Sequence, residues 1–391
     1  MFSNFKINVS WLPVIIYFPI AYNFRIFPNY PINLIQLTVI FLFFYTILSM
    51  LHYRRSIPVH YFTLTLLFSL QFSVSALVSS TINTPLFFTE SIKVFILIMA
   101  FIVGSNCFKS DKKYKFNIIV FLLFLLISLF TQVEFSDLKQ LSLSTRPNVP
   151  DMGSFNAYSF LISLGAIYSF GLAYENKSHT RKIFFLIIFS LFLVFNLFSL
   201  SRGAVFTTFI GLILYLNYKS IYYLALWIPI VISFLFINPF FLDRFTDLDT
   251  LILASGRFEI WYILLSDLFS NPLSIFLGNG PGSIDFYLST STNPIQSAHS
   301  TWLQILYVYG LPALMLILYL YFKLIRFVVI SPNKFRSIDL SLLFAIFIAL
   351  FFDSYLFSSQ IGPYIMLLFS NIYARYYGNK AFICHSNSSY R

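Results

Sequence analysis

Charge is what this chain has least of. Only 10% of its 391 residues are Asp, Glu, Lys or Arg, against roughly 25% in soluble domains. A chain so poor in charge cannot coat the outside of a water-soluble fold. Acidic residues are the scarcer sign, 14 against 25 Lys and Arg, for a net charge of +11. The basic excess is scattered through short loops between apolar runs instead of forming a block, which argues against a nucleic-acid partner. Cysteine is nearly absent: Cys107 and Cys384 each sit beside basic residues. That excludes a disulfide framework and a cysteine-built metal site. The apolar runs lack the period-two alternation of a membrane barrel. No small-residue cleavage site follows the first of them, so a cleavable signal peptide is not expected.

Hydrocarbon is what the chain has in abundance, with 58% hydrophobic residues and a mean hydropathy of +0.80. Runs of about 20 apolar residues can cross a bilayer core as helices. The pattern predicts an all-α polytopic membrane protein of about twelve spans, near 9–24, 34–51, 59–79, 86–104, 116–133, 155–174, 183–200, 203–217, 221–238, 299–322, 338–357 and 360–377. Counting Lys and Arg in alternate loops puts eighteen on one side, Arg375 among them, and six on the other, with Lys93 inside a span. The positive-inside rule then places both termini in the cytoplasm. Two longer segments, 134–154 and 239–298, face out, the second being the large extracytoplasmic loop. Within it, 257–270 reads as an amphipathic helix in the outer interface, with Glu259, Ser266, Asp267 and Ser270 near one side and Ser255 as its N-cap.

The unusual polar groups concentrate on that outer face. Arg202 follows Ser201 where span eight begins, Arg257 lies in the first turn of the interfacial helix, and His299 opens span ten. A cation in a helix's first turn is disfavoured by the helix dipole, so two arginines there imply a compensating anion. Helix N-termini and guanidinium forks together suit a phosphate or pyrophosphate. The plainer alternative is that both arginines snorkel or pair with Asp243, Asp247 or Glu259. A neutral imidazole at His299 could take a proton from a hydroxyl; the plainer role is a hydrogen-bonded helix-end histidine. No second histidine or carboxylate pair at ligand spacing accompanies it, so no metal site is expected.

Glu90 and Lys93, one turn apart in span four, read as a neutralising pair lining a polar cavity, with substrate binding as a secondary role. Asp353, near the outer end of span eleven, could orient His299 or an arginine, or face water. Gly278, Gly280 and Gly282 with Pro281 lack the Lys-Ser/Thr and preceding strand of a phosphate loop and read as a tight turn back to the membrane.

Taken in order, Ser201-Arg202-Gly203, Ser255-Gly256-Arg257 with Trp261, the glycine-rich bend 278–282, and Ala298-His299 with Leu303-Gln304 and Tyr309-Gly310-Leu311 resemble the O-antigen ligase and Wzy-type O-antigen polymerase superfamily. Arg146 with Gly153 and Phe155-Asn156-Ala157 adds a further echo. The resemblance covers roughly 140–325, and Ser300 stands where the family often has Asn. It implies a GT-C-like, metal-independent inverting glycosyltransferase without a cofactor, working at the periplasmic face of a bacterial inner membrane. Its donor would be an undecaprenyl-pyrophosphate-linked oligosaccharide. In that scheme Arg202 and Arg257 hold the pyrophosphate, His299 activates the acceptor hydroxyl, and Asp353 matches a family aspartate by approximate position. A chain-length-regulating co-polymerase is the partner the resemblance implies, beside membrane lipid.

Polymerase is favoured over ligase because the aromatic-rich spans look fitted to a particular sugar unit. A flippase or other transporter is the rival of a different class. Transporters show matched repeats and midplane sites, whereas here no repeat is visible and the polar groups lie in an outer loop.

Overall fold

The structure, a computed structural model, describes residues 12–21, 33–52, 59–79, 84–107, 111–132, 155–199, 201–216, 256–286, 295, 297–331, 334–358 and 361–388. The chain is all-helical there. In order the helices are α1 (Leu12–Ala21), α2 (Leu34–His52), α3 (Val59–Val78), α4 (Pro85–Cys107), α5 (Asp111–Gln132), α6 (Phe155–Glu175), α7 (His179–Phe198) and α8 (Arg202–Tyr215). They continue with α9 (Arg257–Ser270), α10 (Pro272–Leu277), α11 (Thr301–Ile330), α12 (Arg336–Phe352), a 3₁₀ turn (Tyr355–Phe357) and α13 (Gly362–Ser388). Among the described residues, five helices are long and apolar enough to cross a membrane, within α4, α5, α6, α7 and α11. Large apolar side chains also cover the outside: Phe41, Phe44, Leu48, Leu70 and Leu77 are all exposed. A surface of that kind marks a membrane-embedded protein. The expected ninth span, 221–238, lies outside the described residues.

Helix α6 is the central post. Its side chains from Ala157 to Ala173 are buried almost without interruption, as expected of a helix apolar on all sides. Around it α5, α7, α8 and α12 pack through aromatic and small residues. At Gly211 of α8 an added Cβ would come within 2.3 Å of the Ile167 side chain, so α8 and α6 meet at backbone distance, as small residues permit in membrane bundles. A buried polar net stitches α6, α7 and α8 together. Asn196 of α7 donates to Ser163 of α6 and Thr208 of α8 at 3.1 and 3.0 Å, and Ser163 donates to the Ala204 carbonyl at 2.9 Å. Three residues separate α7 from α8, and this net ties α8 to both neighbours through Ala204 and Thr208.

Helix α11 is broken. Gly310 has φ 81 and ψ 174, and Pro312 follows. Pro312 has no N–H to give the Val308 carbonyl, and the turn at Gly310 takes the next donors out of line. Donors from elsewhere replace them. The Asn279 and Gly280 amides bond the Tyr307 and Val308 carbonyls, both at 2.9 Å. Gln71 of α3 donates to the Tyr309 carbonyl at 2.8 Å, and Ser75 donates to Val308. The glycine-rich bend and the break interlock so closely that a Cβ at Gly278 would lie 2.2 Å from the Val308 oxygen, and one at Gly310 would lie 2.3 Å from the Phe276 oxygen.

Two of the sequence expectations need correcting. Arg375, counted with the loop charges of the basic side, is fully buried in α13. There it pairs with the fully buried Asp339 of α12 and lies over the Tyr114 ring at 3.9 Å. Tyr114 of α5 and Tyr376 also donate to Asp339. Span eleven, expected to run to 357, ends as a helix at Phe352. Asp353 adopts an extended backbone and its carboxylate accepts the Ser354 amide at 2.8 Å, the local side-chain bonding by which Asp competes with helix.

Candidate active site at the Asp353 end of α12

Four elements meet beyond the last residue of α12. The first is the turn 297–300, which leads into α11. Ser300 caps that helix, accepting from the Leu303 amide. Serine is among the preferred N-cap residues. Just before the cap, His299 has φ 49, the one non-glycine residue with positive φ among the described residues. Its amide is held by Ser297 Oγ at 3.2 Å.

The second element is the stretch after α12. Asp353 Oδ1 lies 3.4 Å from His299 Nδ1, at the long end of hydrogen bonding, and Thr301 Oγ1 donates to the Asp353 carbonyl at 3.0 Å. With Nδ1 facing the carboxylate, Nε2 is the ring nitrogen left to meet another group. The His299 side chain is 39% exposed and that of Asp353 16%, so the histidine is reachable while its partner is largely enclosed. Burial works against the Asp353 charge. The hydrogen bond and charge of His299, the Arg257 guanidinium and the Ser354 amide outweigh it, holding the carboxyl below the usual carboxylate range.

The third element is α9. It opens at Arg257 after Gly256, which has φ 79; the expected N-cap, Ser255, lies outside the described residues. Ile260, Leu264 and Leu268, spaced by four, form its buried row. Glu259, Ser266, Asp267 and Ser270 are exposed, as are Phe258, Tyr262 and Phe269. Two polar bonds register α9 on α11 and the turn before it: Trp261 Nε1 to the Ala298 carbonyl at 2.9 Å and Tyr307 Oη to Asp267 at 2.6 Å. Arg257 thus comes within electrostatic reach of Asp353.

The fourth element is the start of α8. Arg202 is its first residue, after Ser201 in extended conformation. A Cβ on the next residue, Gly203, would meet Phe352 Cβ at 3.4 Å and Tyr355 Oη at 3.6 Å. The start of α8 therefore abuts the same turn that carries Asp353. Tyr355 stacks flat on Phe160 of α6, with ring centroids 4.6 Å apart, which ties this turn to the central post.

The structure thus brings His299 and Asp353 into contact, sets Arg257 within electrostatic reach of Asp353, and brings the start of α8, where Arg202 stands, up to the adjoining turn through Gly203. The remaining candidates lie elsewhere. Glu90 and Lys93 pair with each other at 2.6 Å on α4. Arg146, Asp243 and Asp247 lie outside the described residues. The glycine-rich bend spends its Asn279 and Gly280 amides on α11 carbonyls, so they are not a phosphate cradle. Thr301, Tyr355 and the hydrogen-bonding role of Trp261 were not foreseen. The signal available in advance was their position one or two residues after the dyad members, or one turn after Arg257.

Chemically, the cluster offers an imidazole with a carboxylate behind it and, within electrostatic reach of that carboxylate, the Arg257 guanidinium. No family model matches this chain, and no curated protein proves similar to it.

Proposed function

We propose that this chain is an integral-membrane glycosyltransferase of the O-antigen polymerase type. It would span the bacterial inner membrane about twelve times with both termini in the cytoplasm and work at the periplasmic face. The observation that carries the reading is the His299–Asp353 contact, with Arg257 within electrostatic reach of Asp353, on a chain whose motif order resembles that superfamily.

The donor is a glycan on polyprenyl pyrophosphate and the acceptor a sugar hydroxyl of the next lipid-linked unit. His299 Nε2 takes the hydroxyl proton as that oxygen attacks the anomeric carbon. The bond from that carbon to the pyrophosphate oxygen breaks, and its electron pair leaves with the pyrophosphate. Arg202 and Arg257 stabilise the charge that develops there, and Asp353 stabilises the imidazolium. One displacement inverts the anomeric centre.

Deletion of the gene and complementation test this on a lipopolysaccharide gel. Loss of the polymerase leaves lipid A-core carrying a single repeat unit, because the ligase still works. Loss of every unit would assign the chain to ligation or flipping, and an unchanged ladder would refute the reading. In complementation, His299→Ala should lower transfer by about 10²- to 10⁴-fold. Arg202→Ala and Arg257→Ala should each cost about 10²- to 10³-fold, with membrane insertion intact in all three.

A further inference from the structure

Trp261 takes no part in the chemistry above, yet its indole N–H ends on the carbonyl of the residue before His299. We infer that Trp261 is the positioning residue through which α9 holds His299 in its working conformation. The inference rests on the proposed role of His299 as the base.

His299 sits at φ 49, a left-handed conformation that persists in a non-glycine residue only when its surroundings impose it. The restraints around it are Ser297 Oγ on its own amide, Asp353 on its ring Nδ1, Thr301 tying the following turn to the Asp353 carbonyl, and Trp261 on the Ala298 carbonyl. Of these, Trp261 alone reaches in from α9. It stands four residues after Arg257, on the same helix and one turn along, so the anion-binding arginine and the grip on His299 share one rigid rod.

The register of that rod is set at both ends. Trp261 holds one end, the Asp267–Tyr307 bond holds the other, and the buried row Ile260, Leu264 and Leu268 lies between them. A pyrophosphate seated on Arg257 is thereby set at a fixed spacing from the base. An indole in a membrane protein is often an interfacial anchor whose N–H meets headgroups and water. Here the N–H is spent on a backbone carbonyl instead.

The test is Trp261→Phe, which keeps an aromatic ring while removing the donor and part of the indole's bulk. It is made in purified full-length protein with a lipid-pyrophosphate-linked repeat unit as substrate. kcat should fall about ten- to a hundred-fold, the range that a small misplacement of a reacting group produces. The KM for the donor should hardly change, because Arg257 remains on its helix. In parallel, diethyl pyrocarbonate labelling read by mass spectrometry should show His299 changing its reaction rate several-fold. His52, His60, His179 and His385 serve as internal references.

A variant with wild-type kcat and wild-type labelling at His299 overturns the inference. So does one whose donor KM rises while His299 labels as before, since the indole would then serve the donor. If the wild-type protein transfers no glycan, the glycosyltransfer reading fails by itself, and the His299 labelling rate alone decides whether Trp261 positions it.

Discussion

Asp353 accepts the Ser354 amide at 2.8 Å and faces His299 Nδ1 at 3.4 Å, so both of its partners reward the ionised form. Its carboxyl is accordingly held below the usual carboxylate range, which lies near 3.9 for aspartate in an unfolded chain. A depressed folded pKa contributes stability that is complete above the unfolded value and is lost as pH falls through the folded one. The melting temperature of the wild type in detergent should therefore exceed that of Asp353→Asn near neutral pH, and the margin should shrink below about pH 4. A margin that instead widened on acidification would mean that the carboxyl is protonated in the folded protein. The same variant should retain donor binding and lose turnover, because asparagine can still accept from Ser354 but cannot balance an imidazolium. Single-turnover measurements separate the two effects.

At the scale of elements, the break in α11 decides how the site is assembled. Its first half runs from the His299 turn to Tyr309, and its second half continues as a long apolar helix to Ile330. Between them the backbone depends on borrowed donors, so the Gly310 conformation is structural. Gly310→Ala would place a Cβ at φ 81 and 2.3 Å from the Phe276 oxygen. Left-handed strain alone costs about 1–3 kcal/mol, and the clash adds to it. A melting temperature lower by several degrees is expected, together with reduced transfer. Gly203→Ala is the contrast, since its Cβ would find ordinary contacts at 3.4 Å and beyond within a helix, and it should leave stability unchanged or slightly raised. Equal losses in the two variants would mean that the break is not what the bundle depends on.

The break also shows what sequence reading can reach. A Gly with Pro two residues later is a local signal for interrupting a helix, and the three glycines at 278–282 announce a bend. That Gln71 and Ser75, more than two hundred residues upstream, supply the missing donors is tertiary information with no local trace. Arg202, Arg257 and His299 stood out in the sequence for a different reason: in a chain that is only 10% charged, polar groups at helix starts are conspicuous. Asp353 was placed by span position, but its break of α12 was not, because an apolar run reads on through it.

Across the whole molecule, one helix joins two ionic clusters of opposite character. Asp339 and Asp353 both belong to α12 or its end, fourteen residues apart, which is roughly 21 Å at helical rise. At the Asp353 end the carboxylate is partly open and its histidine is reachable. At the other end Asp339 and Arg375 are both fully buried, beneath Tyr114 and Phe335, and join α5, α12 and α13. Neither partner of this buried pair was legible in advance. An Asp in the first turn of a span and an Arg late in another both read as interfacial charges, and only the packing brings them together. Removing one member strands a buried charge, which typically costs about 3–5 kcal/mol, whereas replacing both with apolar groups of similar volume is often neutral or stabilising. Arg375→Met and Asp339→Leu should each lower the melting temperature sharply, and the double variant should recover most of the loss. In the double variant, transfer activity and the pH response of the Asp353 end should be close to wild type, because a purely structural lock can be exchanged for hydrophobic packing. If the double variant folds as stably as the wild type but transfers no glycan, the far end of α12 is part of the working cycle, and the two ends of that helix are coupled.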